Sequence, residues 1–125
     1  FIADSQLAVH FDVDSAMTAQ RYRQGLEAIS EASKSIDGLT VTLVGHADKR
    51  GSEIYNQRLS EARALSVGQM LQDGGVSPKT IQTEGRGEKY ALADGRCGFY
   101  AMDRRVDVEL NFERKPQNEG LYSLR

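Results

Sequence analysis

The chain contains no tryptophan, one cysteine and two prolines, and aromatic residues make up only 7% of its 125 residues. One cysteine cannot form an internal disulfide, and Cys97 lies far along the chain from both histidines, so it is not expected to be a nucleophile. The formal net charge of −2 argues against a general nucleic-acid-binding protein. No apolar run is long enough to span a membrane, and no charged-then-apolar leader begins the chain. We therefore expect a globular domain that does not insert into a membrane.

Four short segments have the composition and spacing of β-strands. Residues 7–11 and 106–112 alternate apolar and polar side chains, which is typical of strands buried on one face. Residues 39–44 are rich in β-branched side chains and lie between two glycines, which indicates a central strand. Residues 80–84 form a third, more polar candidate. The sequence therefore predicts a sheet of four strands.

Two segments between these strands have helical periodicity. Asp14 and Ser15 are candidate N-caps for a first helix, which ends before Asp37-Gly38. A second amphipathic helix is predicted over residues 53–71. Residues 88–103 show no period and predict a long loop with one helical turn near its end.

The predicted order is strand, helix, strand, helix, strand, loop, strand. The two strand–helix–strand units should be parallel, whereas the fourth strand follows a loop and is expected to be antiparallel. The fold class is therefore α/β (α+β): a two-layer βαβαβ-loop-β sandwich, with a mixed four-stranded sheet and helices on one face. Residues 1–112 are expected to form this domain, and residues 113–125 a polar C-terminal tail.

The second helix, which Ser52 is placed to cap, carries two polar residues where apolar ones are expected. At 100° per residue, its apolar arc comprises Tyr55, Leu59, Ala62, Ser66, Val67 and Met70, with Gly68 on the opposite face. Asn56 and Arg63 fall inside that arc, where a guanidinium is costly unless it is paired. In one interpretation Arg63 bonds a buried carboxylate or loop carbonyls while Asn56 holds the loop. In the other, Arg63 faces a cleft and offers its planar fork to a ligand carboxylate.

The predicted topology favours the cleft. Ligands of α/β sheets bind beyond the carboxyl ends of parallel strands, and Asp48 follows the central strand at that end. An antiparallel fourth strand begins there too, which brings Arg104 and Arg105 near. An aspartate for an ammonium and an arginine for a carboxylate together select a zwitterionic group. His46 and Asp48 have no third metal ligand nearby and no serine has an adjacent base, so we expect no metal, no cofactor and no catalysis.

A series of motifs in a fixed order and spacing resembles a known family. These motifs are Gly45-His46-Ala47-Asp48, Gly51, Tyr55-Asn56, Leu59-Ser60, Arg63-Ala64, Val67, Gly85-Arg86-Gly87-Glu88 and Arg104-Arg105-Val106. Over roughly residues 7–112 the chain resembles the OmpA-like (OmpA C-terminal, Pal and MotB type) peptidoglycan-binding domain. The βαβαββ-type fold that this resemblance implies agrees with the predicted order of elements.

The resemblance also implies a ligand and the residues that bind it. The ligand is the meso-diaminopimelate residue of the peptidoglycan stem peptide, bound without catalysis. Asp48 and Arg63 match the family's ligand-binding aspartate and arginine, and Asn56 matches the asparagine of its Tyr-Asn pair. Arg104-Arg105 matches its Arg-Arg-Val segment, which leaves open which of the two faces the ligand.

The implied setting is the periplasm. There the domain would anchor an outer-membrane protein, a lipoprotein, or a flagellar or secretion-system component to the cell wall, through segments not present here. Other envelope proteins are further candidate partners. Ala47 stands where the family usually has threonine, and Asp103 where asparagine commonly precedes the arginines. The alternative function is therefore an OmpA-like fold used mainly for protein–protein contact, with weakened peptidoglycan binding.

Overall fold

The computed structural model describes residues 6–91 and 100–112. Its elements, with 3-10 turns at Gln20–Tyr22 and Pro78–Thr80, are β1 (Gln6–His10), α1 (Arg23–Ser35), β2 (Thr40–Gly45), α2 (Glu53–Asp73), β3 (Ile81–Gly85), α3 (Tyr100–Asp103) and β4 (Arg105–Asn111). The predicted tail at 113–125 and Cys97 lie outside the described residues. The predicted helical turn near the end of the long loop corresponds to α3.

The four strands form one mixed sheet in the order β1-β4-β2-β3. Strand β2 pairs with β3 in parallel, and β4 is antiparallel to both β1 and β2. The predicted fold class and the antiparallel fourth strand are therefore confirmed. The insertion of β4 between β1 and β2 follows from pairing between distant segments, which local patterns do not encode.

The core is one contiguous cluster to which both long helices and the strands contribute. Its buried members are Val9, Phe11, Leu26, Ile29, Val41, Leu43, Ala64, Val67, Leu71, Val76, Val106 and Val108. In β4, Val106 and Val108 are buried whereas Asp107 is only partly so, which is the alternation expected of a strand covered on one face. Removing these aliphatic side chains from water is the main favourable contribution to folding.

The first helix begins later than predicted, at Arg23 rather than directly after Ser15. Asp14 instead has a positive φ of 55°, and the Ser15 hydroxyl accepts a hydrogen bond from the Met17 amide at 3.1 Å, closing a local turn. Contacts from α2 hold this segment as a loop, including a bond between Thr18 Oγ1 and Ser66 Oγ at 2.9 Å. The N-cap prediction was wrong because tertiary contacts override local propensity here.

Helix α2 begins as predicted, because the Ser52 side chain accepts a hydrogen bond from the Tyr55 amide at 3.1 Å. Its buried face is rotated relative to the predicted arc: Tyr55 and Ala62 are exposed, and Gly68 is buried. The helix lies so close to the sheet that a Cβ on Gly68 would sit 3.4 Å from Leu43 Cδ1. The buried polar and small residues of this face are Asn56, Ser60, Arg63, Ala64 and Gly68.

Candidate ligand-binding site

A small cleft of about 40 Å³ lies where β2 ends and β4 begins. Four of the five predicted site residues line it, namely Asp48, Asn56, Arg63 and Arg104. A space of this size admits only a few water-sized groups. Only the end of a ligand side chain therefore fits inside, and the remainder of any ligand must lie on the surface around it.

Arg63 is fully buried, with a relative exposure of 0%. Its Nε donates to the Ser15 carbonyl at 2.9 Å, its Nη1 to the His46 carbonyl at 3.0 Å and its Nη2 to the Asp12 carbonyl at 3.0 Å. Burial, followed by the nearby charge of Arg104, lowers the pKa of Arg63 from its ordinary value. Each of the two interpretations of Arg63 from the sequence is therefore correct in part. Arg63 bonds loop carbonyls, and it also lines a cleft.

Asn56 ties together the two loops that flank the cleft. It is 2% exposed, and its Nδ2 donates to the carbonyls of Asp48 at 3.1 Å and Arg50 at 2.9 Å, and to Glu88 Oε1 at 2.8 Å. An amide nitrogen carries two N–H groups, so three acceptors share them. The amide of Asn56 is thereby committed to holding the loop after β2 against the loop after β3.

The carboxylate of Asp48 is surrounded by cations. Arg50 donates to it three times: from the backbone N to Oδ1 at 3.0 Å, from Nε to Oδ1 at 3.2 Å and from Nη2 to Oδ2 at 2.9 Å. Arg104 Nη1 lies 3.6 Å from Oδ2. Burial acts to raise the pKa of Asp48, but these hydrogen bonds and the charges of both arginines outweigh it, so the pKa lies below 3.8. Asp48 is therefore ionised at neutral pH.

The two consecutive arginines at the start of β4 have different environments. Arg104 lines the cleft, and its Nε donates to the Phe11 carbonyl at 2.8 Å. Arg105 instead bonds Asp107 Oδ1 at 3.0 Å and the Met102 carbonyl at 3.1 Å. The arginine that points toward Asp48 is therefore Arg104, which lies just before β4, and not Arg105, the first residue of that strand.

On the other side of β4, Asp107 contacts both Arg105 and His46. His46 is buried, and its Nε2 lies 3.2 Å from Asp107 Oδ2. The hydrogen bond with His46 lowers the pKa of Asp107 below its ordinary 3.8 against the opposing effect of burial, and the bond from Arg105 lowers it further. His46 therefore joins the end of β2 to β4.

Because the pKa of Asp107 is lowered in the folded state, its ionised form stabilises the fold above the unfolded-state pKa near 3.9. The free-energy difference between the wild type and Asp107→Asn is expected to shrink as the pH falls below about 4. The unfolded chain then takes up the proton while Asp107 is still ionised in the folded chain, and the contribution is lost once the folded chain is protonated too. Urea denaturation of both proteins from about pH 5 downward measures this change, and a difference that grows as the pH falls over that range would contradict this assignment.

Arg50 and Tyr100 escaped the sequence-based prediction of the site. Arg50 lines the cleft, and its guanidinium lies over the Tyr100 ring, 4.2 Å from its centre. The spacing of Asp48 and Arg50 carried a usable signal, because an aspartate often accepts the amide of the residue two positions on. No such local signal exists for Tyr100, which reaches Arg50 from a distant part of the chain.

No cluster of three or more potential metal-ligating side chains occurs in residues 6–91 and 100–112. No helix within the same ranges is long and apolar enough to cross a membrane.

The sheet order, the capped α2 and the cleft at the carboxyl end of β2 together define an OmpA-like domain. The chain belongs to the OmpA family, whose model matches residues 10–99.

Curated relatives extend this result. Outer membrane protein A of Bordetella avium is 37% identical over 106 residues, which cover 84% of this chain and 55% of that protein. The peptidoglycan-associated lipoprotein of Legionella pneumophila is 34% identical over 98 residues, covering 78% of this chain and 56% of that protein. The chain thus spans about half the length of these two relatives.

Solved structures share the fold. The peptidoglycan-associated lipoprotein from Burkholderia pseudomallei superposes with a TM-score of 0.78 at 28% identity, covering 82% of this chain and 88% of that one. The periplasmic domain of Helicobacter pylori MotB superposes with a TM-score of 0.71 over 97% of this chain and 84% of that one. At 17% identity, the second likeness shows the fold alone.

Proposed function

We propose that this chain is a non-enzymatic peptidoglycan-binding domain of the periplasm that anchors an envelope protein to the cell wall. Its cleft binds the meso-diaminopimelate residue of the stem peptide. The observation that carries the proposal is the ionised carboxylate of Asp48 beside a guanidinium. The Asp48 side chain is only 8% exposed, and its Oδ2 lies 3.6 Å from Arg104 Nη1. The relatives that are outer membrane proteins or a peptidoglycan-associated lipoprotein support the same setting.

The chemistry of the cleft suits a side chain that ends in both an ammonium and a carboxylate. The ammonium pairs with Asp48, whose carboxylate is shielded from bulk water, so the attraction is less screened than at an open surface. The carboxylate is received on the side of Arg63 and Arg104. A guanidinium presents a planar fork of donors that matches a carboxylate, and a narrow cleft admits the end of such a side chain only.

Arg63 and Arg104 have unequal parts in this proposal. Arg63 has three of its five N–H groups bonded to main-chain carbonyls, so it contributes mainly a fixed positive charge and the shape of the wall. Arg104 has a side chain that is 15% exposed and is the better placed to touch the ligand. Arg105 acts indirectly, by holding the start of β4 through Asp107, and Asn56 acts by holding the loops.

The alternative function, a protein-contact module with a weakened site, depended on Ala47 and Asp103. Ala47 is buried, and its amide bonds the Gly87 carbonyl at 2.9 Å, so the loop is ordered without a threonine hydroxyl. Asp103 is buried too, 3.8 Å from Arg105, and does not line the cleft. Neither residue adds an obstacle to the cleft, which supports peptidoglycan as the ligand.

Co-sedimentation with purified sacculi tests the proposal. The chain is expected to sediment with sacculi whose stem peptides contain diaminopimelate, and to be released by an excess of soluble peptide containing that residue. The supernatant should contain no wall fragments generated by the protein. A chain that stays in the supernatant at all protein concentrations, while capturing an envelope protein, would support the alternative function.

A further inference from the structure

The cleft already contains an internal cation in the place that a ligand ammonium must take. Arg50 occupies both oxygens of Asp48 through its guanidinium, at 3.2 Å and 2.9 Å, and its backbone N–H adds a bond at 3.0 Å. Oδ1 accepts two of these bonds, which fills its two acceptor positions. A ligand ammonium therefore bonds Oδ1 only by displacing the Arg50 side chain.

Arg50 is also the most exposed of the arginines in the cleft. Arg63 and Arg104 are each held by main-chain carbonyls. Within the described residues, the Arg50 guanidinium has hydrogen bonds to Asp48 alone and rests on the Tyr100 ring. Its side chain is 47% exposed, and the next residue, Gly51, has a φ of 92°. An exposed side chain with one exchangeable partner can move at small cost.

Displacement has different consequences for two kinds of ligand. A ligand end that carries an amine alone takes Asp48 from Arg50, and the guanidinium then loses its hydrogen-bonded carboxylate. A ligand end that carries a carboxylate beside the ammonium gives the displaced guanidinium a new anionic partner, which it shares with Arg104. Since specificity is the difference between two affinities, the penalty on the first ligand counts as much as the gain with the second.

We propose that Arg50 is the specificity-determining residue by which this cleft distinguishes a zwitterionic side-chain end from an amine alone. Arg50 exchanges its partner, from Asp48 in the free protein to the ligand carboxylate in the complex. This inference rests on the proposed function, because it concerns the same cleft and the same class of ligand. The stem-peptide residues that it separates are diaminopimelate and lysine, which differ by one carboxylate.

The test uses two soluble stem peptides that are identical except that one contains meso-diaminopimelate and the other lysine. Isothermal titration gives the ratio of their dissociation constants for the wild type, Arg50→Gln and Arg50→Lys. We expect the wild type to favour the diaminopimelate peptide, and Arg50→Gln to narrow the ratio by about three- to tenfold. Arg50→Lys keeps the charge but loses the planar fork, so its ratio should fall between the two.

Lys49→Gln is the matched control, because Lys49 is exposed and adjacent in the chain. It removes the same charge and should leave the ratio unchanged. Equal ratios in the wild type and Arg50→Gln would overturn the inference while leaving the proposed function standing, provided that the wild type binds. If the wild type binds neither peptide, the proposed function itself fails, and this inference with it. Unfolding curves for each variant confirm that the compared proteins are folded.

Discussion

Arg63→Ala is expected to lower the free energy of unfolding by about 3–5 kcal/mol. The substitution removes the donor to three buried or part-buried main-chain carbonyls, those of Asp12, Ser15 and His46. Each carbonyl then loses a charge-assisted hydrogen bond, and the empty volume of a fully buried guanidinium adds a cavity cost. Urea denaturation followed by circular dichroism measures the loss.

The effect is expected to be specific to the buried position. Arg58→Ala removes the same side chain from the exposed face of the same helix, and it should change stability by less than about 0.5 kcal/mol. Arg63→Lys keeps a charge but cannot span three carbonyls with one ammonium, so it should recover only part of the loss. An Arg63→Ala protein as stable as Arg58→Ala would show that the three carbonyl bonds are not important for folding.

This expectation changes how binding data should be interpreted. Arg63 joins the segment after β1 to the end of β2, so its removal disturbs the walls of the cleft as well as any ligand contact. A variant of Arg63 that fails to bind peptidoglycan therefore does not by itself assign a ligand contact. The residue to change for that purpose is Asp48.

Asp48→Asn is expected to weaken binding of a diaminopimelate-containing stem peptide by about two orders of magnitude or more, with the fold retained. Removing one partner of a desolvated charge pair costs about 2–5 kcal/mol, and the Asp48 side chain is only 8% exposed. Asparagine has nearly the same shape, and its Oδ1 can still accept the Arg50 amide. The three arginines in the cleft then lose the counter-charge of Asp48, which further disfavours an ammonium.

Isothermal titration with the soluble peptide, together with co-sedimentation on sacculi, measures this loss. Asp37→Asn is the control, because it makes the same chemical change at an exposed turn just before β2, at the opposite end of the strand. The control should bind like the wild type. Binding by Asp48→Asn within about threefold of the wild type would remove Asp48 from the proposed site.

Much of the architecture was predictable because it depends on local patterns. The alternation around Val106 and Val108 predicts a strand that is covered on one face, and glycines on both sides of residues 39–44 delimit the central strand. The serine before α2 predicts the N-terminus of that helix. The start of α1 was not predictable, because Asp14 and Ser15 have good capping propensity but are held in a loop by residues of α2.

The residues of the cleft, too, could be predicted only in part from the sequence. Sequence alone was enough to propose Asp48, Asn56, Arg63 and the arginine pair as one group, because strand ends and a helix stripe are local features, and the resemblance then supplied a ligand. It left two interpretations of Arg63 open, since a periodic pattern says that a side chain points inward but not which acceptors it meets.

Tertiary structure alone decided the partners. It places three carbonyls around Arg63, turns Arg104 and not Arg105 toward Asp48, and sets Arg50 on Asp48 under the ring of Tyr100. These contacts join segments up to tens of residues apart, and their geometry depends on the insertion of β4 beside β2. The residue types were readable from the chain because helix and strand periods are local, whereas the pairing of charges required the folded sheet.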